Sequence, residues 1–159
     1  EKGDLYEGGL RVPAIVRWPG RLAAGSTSTL PCMSMDWLPT LAGAAGATAD
    51  VSAPSDGVDL MPSLQSNTDM VEARPLFWRT REQGAMRLGD WKYLRNGQME
   101  FLFNVVDDPR EQANRKLRES ARFAELQRRY LEWEGQMLPY PERHWPGIRA
   151  VKAKFRNLE

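Results

Sequence analysis

Aromatic-rich apolar runs, each about six residues long, dominate the middle of the chain. They cover residues 74–80, 84–89, 90–96 and 99–105, and the breaks between them are Gln83-Gly84, Gly89-Asp90 and Asn96-Gly97. An Asn-Gly pair between two apolar runs is a strong signal for a hairpin turn. The pattern therefore predicts an antiparallel meander of three or four strands.

A helical stripe follows the meander. Apolar residues recur at steps of three and four over residues 119–138, which is typical of a helix with one apolar face; they are Phe123, Leu126, Tyr130, Trp133 and Met137. Such a helix and a small sheet can each bury an apolar face against the other. The predicted fold class is α+β, with a small antiparallel β-sheet packed against a long C-terminal helix.

The first part of the chain has a different pattern. Gly8-Gly9 suggests a turn with backbone angles closed to other residues, and the β-branched run 13–18 predicts a strand that ends at Pro19-Gly20.

A short helix is predicted next, with Asp36 as its N-cap and with Gly43 and Gly46 ending it. Residues 47–73 have the composition of a surface linker, within which 56–64 carries apolar anchors and is expected to pack down. Residues 139–159 are expected to form an extended tail.

Composition narrows the possible functions. Of 159 residues, 42% are hydrophobic and 27% charged, as in ordinary globular domains. The net charge of +1 gives no general attraction for nucleic acid. No run of about 18 apolar residues occurs, so we expect no membrane span. The single cysteine excludes an internal disulfide.

Few residues carry obvious chemistry. His144 lies between Arg143 and Trp145 in a proline-flanked stretch, and we interpret it as a surface residue rather than a base. Cys32 has no evident partner base and is interpreted as a small packed hydrophobe. Asp107, Asp108 and Glu111 could bind a cation, but a turn followed by a helix start is the favoured interpretation.

Lys2 is the exception, because it stands beside Gly3 and shortly before the glycine pair. A lysine held near a backbone bend can stabilise an anionic oxyacid as a point charge.

Six segments together resemble the sulfatase family. "KGDLYEGGLRVP" is similar to the family's K-G-x-x-x-E-G-G-x-R-x-P motif, and "MDWLPTLAGAAG" to its D-x-x-P-T-L-x-x-x-A-G segment. "DGVDLMPSL", "RPLFWR", "AMRLGDWKYLR" and "LFNVVDDPREQAN" resemble later segments of the family in the same order. The resemblance spans roughly residues 1–138.

The resemblance implies hydrolysis of sulfate esters by a formylglycine nucleophile and a calcium ion. Lys2 matches the family lysine that contacts the substrate sulfate, so it is the one catalytic candidate. Glu7, Gly8, Gly9 and Arg11 match the motif turn and are expected to be structural.

The chain departs from the family in one respect. It contains no C/S-x-P-x-R motif, and Cys32 is followed by Met-Ser-Met, so this cysteine does not match the formylglycine precursor. The metal-binding aspartates of the family lie upstream of the lysine. We therefore expect a C-terminal fragment of a sulfatase, with no metal site or cofactor of its own, inactive without its N-terminal catalytic domain.

The resemblance also divides the chain. Residues 1–65 are expected to be an edge piece of the large α/β catalytic domain, 66–138 the small C-terminal subdomain, and 139–159 the tail. Trp78, Arg79 and Arg81 are candidates for substrate contact, although a strand end and a solvated hairpin loop are the favoured explanation of these residues.

Two alternatives remain open at this point. The chain could be a free-standing binding or scaffold module derived from a sulfatase tail, which recognises sulfated glycans or self-associates through exposed apolar surface. It could also be part of a related phosphonate or phosphate-ester hydrolase. The lack of N-x-S/T sequons and of paired cysteines favours a bacterial source, cytoplasmic or periplasmic, over a lysosomal one.

Overall fold

The computed structural model describes residues 3–47, 55–66 and 73–140. In chain order the helices and strands are α1 (Glu7–Leu10), α2 (Trp37–Ala44), α3 (Met61–Ser66), β1 (Leu76–Arg79), β2 (Gln83–Leu88), β3 (Trp91–Asn96), β4 (Met99–Asn104) and α4 (Ser120–Glu134). Lys2, His144, most of the predicted tail and parts of the predicted linker lie outside the described residues.

The four strands form one antiparallel sheet in the order β1-β2-β3-β4. Tight turns join β2 to β3 at Gly89 and β3 to β4 at Gly97, where φ is 57° and 58°. Glycine enters this left-handed region without steric cost, which is why the breaks at Gly89 and Gly97 marked turns. The predicted break at Gln83-Gly84 is wrong, because both residues lie within β2. The predicted meander is confirmed.

Helix α4 covers one face of this sheet. The core between them contains Met86, Tyr93, Leu102, Phe123, Leu126 and Tyr130. Trp133 packs at its margin, where its ring stacks on Phe77 with centroids 4.8 Å apart. The predicted α+β packing is confirmed, but the helix ends at Glu134 rather than at 138, because Gly135 weakens helix propagation and Met137 therefore lies beyond it.

The opposite face of the sheet is covered by the N-terminal segment. Leu5 packs with Ala85, Leu94, Phe103 and Val105 in a second apolar cluster. Contacts therefore cross the boundary predicted at residue 65, since residues 5–10 pack against the sheet of the C-terminal unit.

The predicted strand over 13–18 is wrong for this structure. Residues 11–18 have no regular secondary structure, and Ile15 is 94% exposed. A β-strand needs a neighbouring strand to pair its backbone N–H and C=O groups. The described part of the chain places no strand beside this segment, so its β-branched composition is not sufficient.

Helix α2 is held by a buried carboxylate. Asp36 precedes the helix as predicted, but its side chain does not cap it. Instead its carboxylate accepts hydrogen bonds from the backbone N–H groups of Met33 (2.7 Å) and Val58 (3.0 Å) and pairs with Arg74 at 2.5 Å. The N-cap interpretation was therefore wrong about the role of this side chain.

The other end of α2 follows the expected chemistry only in part. Gly43 lies inside the helix, whereas Gly46 has φ 66° and ends it, with the N–H of Ala47 bonded to the Ala42 carbonyl. Segment 56–64 packs down as predicted, with Leu60 buried. None of the helices described here combines the length and the apolar character that a membrane crossing requires.

Candidate functional site

The segment that begins with the lysine-glycine motif is anchored on the sheet. Leu5 is buried, and its backbone N–H donates to the side-chain Oε1 of Gln83 at 2.9 Å. Residues Glu7–Leu10 then form one helical turn, in which Glu7 is buried. The position of Asp4 to Leu10 is thus set by contacts with strands that lie about eighty residues later in the chain.

Three buried charges hold this turn in place. The Lys92 ammonium lies 2.9 Å from Oε1 of Glu7 and 2.8 Å from Oε1 of Glu111. The side chain of Lys92 is fully buried, and those of Glu7 and Glu111 are 7% and 2% exposed. In addition, the backbone N–H of Glu7 donates to Oε2 of Glu111 at 2.6 Å. We call these three residues the Lys92 cluster.

The Lys92 cluster joins three of the motif segments quoted above. Glu7 belongs to the lysine-glycine motif, Lys92 to "AMRLGDWKYLR", and Glu111 to the segment around Pro109. Sequence reasoning missed Lys92, and it named Glu111 only as a possible cation ligand and not as the partner of a buried lysine. A weak signal existed, because Lys92 shares its sheet face with Leu94 and Phe103 and so interrupts an apolar row.

The acidic segment 107–111 is a turn as predicted, but the helix start predicted after it is wrong, since α4 begins only at Ser120. The Asp108 carboxylate accepts from the backbone N–H of Ala113 at 2.7 Å, and hydrogen bonds from backbone N–H groups, that of Ala113 foremost, hold the pKa of Asp108 below its usual value. Glu111 has φ 56° and turns inward to Lys92. The carboxylate of Asp108 is thus occupied by local hydrogen bonds and that of Glu111 by an ion pair.

The glycine pair does not need unusual backbone angles. Gly8 and Gly9 both lie within α1, and a Cβ on Gly8 would meet nothing within 4 Å. The expectation of angles closed to other residues was therefore wrong. The side chain of Arg11 is exposed, and its backbone N–H bonds to the Glu7 carbonyl at 2.8 Å.

The three candidates for substrate contact are not brought to one place. Trp78 packs beside the apolar cluster on the face covered by the N-terminal segment. Arg79 is on the opposite face, where it donates to the Leu138 carbonyl at 2.5 Å and stacks over the Tyr140 ring. Arg81 also lies over Tyr140, at 5.9 Å. Their contact with a substrate stays a prediction.

Cys32 differs from its predicted setting. Its side chain is exposed rather than packed in a core. Partial burial, followed by the nearby charge of Asp36, raises the pKa of its thiol. The thiolate that a nucleophile requires is therefore disfavoured at neutral pH.

An open groove lies between β1 and α4. Its floor includes Phe77 and Trp133, whose ring faces are occupied by their mutual stacking. Of the charged residues on its rim, Arg128 is paired with Glu132 at 2.6 Å. This groove offers no convergent set of polar groups.

The described residues do not fit a calcium ion. Among them no group of three or more His, Cys, Asp or Glu side chains is arranged to hold a metal. The buried carboxylates of Glu7 and Glu111 face an ammonium group, and that of Asp36 faces a guanidinium. Each of these carboxylates is already engaged by a protein cation, so no metal-dependent step is assigned to these residues.

Comparison with curated proteins identifies relatives over part of the chain. Steryl-sulfatase of Rattus norvegicus is 42% identical over 76 residues, which are 48% of this chain and 13% of the relative. Arylsulfatase A of Homo sapiens is 51% identical over 63 residues, 40% of this chain and 12% of the relative. N-acetylgalactosamine-6-sulfatase of Mus musculus is 37% identical over 92 residues, 57% of this chain and 17% of the relative.

Solved structures give longer matches. Ps i-CgsB in complex with k-i-k-neocarrahexaose has a TM-score of 0.70 and 25% identity, covering 82% of this chain and 31% of that one. BT4656 in complex with its substrate D-glucosamine-2-N,6-O-disulfate has a TM-score of 0.60 and 26% identity, covering 77% and 28%. A comparison with protein-family models finds no match.

These comparisons confirm the resemblance on which the sequence analysis relied. The chain spans less than a fifth of the length of the curated relatives that it matches.

Proposed function

Because this chain is homologous to sulfatases over about half of its length, we propose that it is the C-terminal part of an enzyme that hydrolyses sulfate esters. The observation that best supports the proposal is the 51% identity to arylsulfatase A over 63 residues. The anchored position of the lysine-glycine motif segment agrees with it, since a substrate contact needs a fixed backbone.

In this proposal Lys2 contacts the sulfate group of the substrate. An ammonium group placed beside the sulfate oxygens stabilises negative charge that develops there as the ester bond breaks. Within a site closed to water this interaction is stronger than it would be at an exposed surface. Lys2 therefore binds and polarises the sulfate but does not attack it.

The remaining chemistry would come from elsewhere in the parent enzyme. The sulfatase relatives imply a formylglycine nucleophile and a calcium ion, and the described residues offer neither a fitting metal site nor a matching precursor motif. We therefore propose that these 159 residues alone do not turn over substrate.

The exposure of several large apolar side chains supports the proposal that this chain packs against a partner domain. Ile15 is 94% exposed, Val12 76%, Leu38 66% and Leu41 61%. A contiguous patch of exposed apolar side chains commonly marks an interface, and we propose that these four residues belong to such a patch. We propose that residues 11–18 and the outer side of α2 pack against the catalytic domain, and that isolated chains use the same surface to self-associate.

Hydrolysis of 4-nitrophenyl sulfate tests the proposal. The polypeptide encoded by the complete reading frame that contains these residues should hydrolyse it, whereas the 159-residue chain should show no turnover. If the isolated chain hydrolyses the ester and Lys2→Ala abolishes this activity, the proposal that catalysis requires the rest of the parent enzyme is contradicted.

The same assay separates the alternatives. Preference for 4-nitrophenyl phosphate or a phosphonate ester would identify a related hydrolase. A reading frame that adds no catalytic motif to these residues would leave a binding module, whose expected property is a defined oligomer.

A further inference from the structure

We propose that Lys92 and Glu111 are positioning residues that fix the segment carrying Lys2 through their contacts with Glu7. The inference rests on the proposed function in one respect, namely that Lys2 contacts the sulfate. The contacts themselves are independent of that role.

Glu7 is attached at two points, to β3 through Lys92 and to the turn after β4 through Glu111. Its carboxylate pairs with the Lys92 ammonium at 2.9 Å, and its backbone N–H donates to Glu111 Oε2 at 2.6 Å. One attachment fixes the side chain and the other fixes the peptide plane. Together they restrict both the translation and the rotation of this helical turn, which a single apolar contact would not do.

Stability alone would favour apolar residues, rather than charged ones, at the buried positions of the Lys92 cluster. Lys92 occupies a fully buried position on a sheet face whose neighbouring cluster is apolar. It pairs with Phe103 on β4 and with Arg87 on β2, and Leu94 follows it on the same face of its own strand. Burying charges has a large desolvation cost, and well-packed apolar residues often give equal or greater stability. A charged cluster with fixed hydrogen bonds instead specifies one geometry.

The cluster also carries an uneven charge. One ammonium faces two carboxylates, so removal of Glu7 leaves a balanced Lys92–Glu111 pair within the sheet. Glu7 can therefore be changed with less risk to the fold than either partner. This asymmetry makes it the appropriate position for a test.

Lys2 is close in sequence to the anchored residue Glu7. Four residues separate Glu7 from Lys2, and the bonded Leu5 is one of them. Consecutive Cα atoms are about 3.8 Å apart, so a fixed Leu5 confines the backbone of residue 2 to within about 11 Å of it. Loosening Glu7 widens the region that Lys2 can reach.

The experiment measures the spread of positions that residue 2 adopts in the 159-residue chain. Nitroxide labels are attached at Lys2→Cys and at Ala124→Cys, which lies on the exposed side of α4, in a Cys32→Ser background. Double electron–electron resonance gives the distribution of distances between the labels. Thermal unfolding of each variant is recorded in parallel.

Glu7→Ala should broaden the distance distribution at least about twofold while the sheet still unfolds cooperatively. Glu7→Gln keeps an oxygen acceptor for Lys92 and should retain a narrow distribution. Lys116→Met is the matched control, because it removes a half-exposed lysine that pairs with Glu100 at 3.3 Å on the other face. It should leave the width unchanged.

Glu7→Ala keeps the backbone N–H that donates to Glu111, so Glu111→Ala is measured beside it. A distribution that stays as narrow in both variants as in the parent chain would overturn the proposal, since Leu5 and its neighbours would then suffice. Equal broadening in Lys116→Met would also overturn it, because loss of any lysine would have the same effect. If Lys92→Met prevents folding, the Glu7 variants still decide the question. None of these outcomes depends on whether Lys2 binds sulfate, which turnover of the longer protein tests separately.

Discussion

The hydroxyl end of Tyr130 occupies the place where a side chain on Gly84 would begin. A Cβ added at Gly84 would overlap the phenol oxygen and the adjacent ring carbons. Tyr130 is fully buried and is held by a hydrogen bond from its hydroxyl group to Glu134 Oε1 at 2.9 Å, so it has no space to retreat. Because Gly84 has no side chain, α4 can approach β2 closely at this position.

Gly84→Ala should lower the free energy of unfolding by roughly 2 kcal/mol, the usual cost of overpacking a core. Urea unfolding followed by tryptophan fluorescence measures it. Gly8→Ala is the matched control, because a Cβ there meets nothing within 4 Å in a helical turn. A Gly84→Ala variant as stable as Gly8→Ala would show that α4 sits further from the sheet.

Asp36 should be among the most sensitive positions for stability. It is fully buried and satisfies two backbone N–H groups as well as Arg74. Asp36→Ala leaves the cation without its partner, and breaking a buried pair in this way costs roughly 3–5 kcal/mol. Denaturant unfolding checks the loss.

Asp59→Asn serves as the comparison for Asp36. Asp59 is exposed and accepts one hydrogen bond from the backbone N–H of Met61, which an asparagine oxygen can also accept. Its substitution should change the unfolding free energy by less than about 0.5 kcal/mol. Similar losses at both positions would contradict the central role given to Asp36.

Acid should weaken the contact between the sheet and α4. Two hydrogen bonds from Arg95, at 2.6 and 2.8 Å, and one from Tyr130 hold the pKa of Glu134 below its usual value. A carboxyl with a lowered folded pKa contributes stability above its unfolded pKa of about 4.3 and loses it as the pH falls through the folded pKa.

Glu134→Gln should therefore cost about 1 kcal/mol at pH 7 and clearly less at pH 3. Thermal unfolding across this pH range measures the difference. Glu100 retains some acid dependence in the variant: burial opposes ionisation of its carboxyl, but hydrogen bonds from Tyr93, Gln127 and Lys116 outweigh it and lower its pKa. If Glu134→Gln lowers the free energy of unfolding by the same amount at pH 7 and at pH 3, this account is contradicted.

The proposed interface makes a further prediction about association. If Ile15 and Leu41 belong to an apolar surface that normally meets a partner domain, the isolated chain should self-associate. Ile15→Ser/Leu41→Ser should weaken that association at least about tenfold, as expected from the loss of two apolar contacts. Sedimentation velocity at several concentrations measures the effect.

Leu117→Ser is the control for this surface, since Leu117 is 90% exposed but lies in the loop before α4. An equal weakening by Leu117→Ser would locate the self-association elsewhere. A monomer at all concentrations would remove the argument for the interface.

Local patterns sufficed to predict the C-terminal unit. The turn at Gly97 and the stripe through Phe123, Leu126 and Tyr130 depend on neighbouring residues, so the sequence around each position carries the information. The strand predicted at 13–18 failed for the opposite reason, since its formation depends on a partner strand rather than on its own composition.

The Lys92 cluster could not be predicted in the same way. Glu7 and Lys92 are 85 residues apart, and nothing in the local pattern of either residue identifies the other. Lysine on a strand normally indicates the solvated face. Only the register of β3 and the path of Leu5 to Leu10 across the sheet reveal that this lysine is buried.

The most direct test of the central claim is the hydrolysis of 4-nitrophenyl sulfate by the polypeptide of the complete reading frame, compared with its Lys2→Ala variant. We predict turnover in the first and a fall in kcat/KM of at least about 100-fold in the second, the scale expected for loss of a group that stabilises transition-state charge. Sulfate-ester turnover that is unchanged by Lys2→Ala, or no turnover of any sulfate ester by the complete polypeptide, would contradict the account.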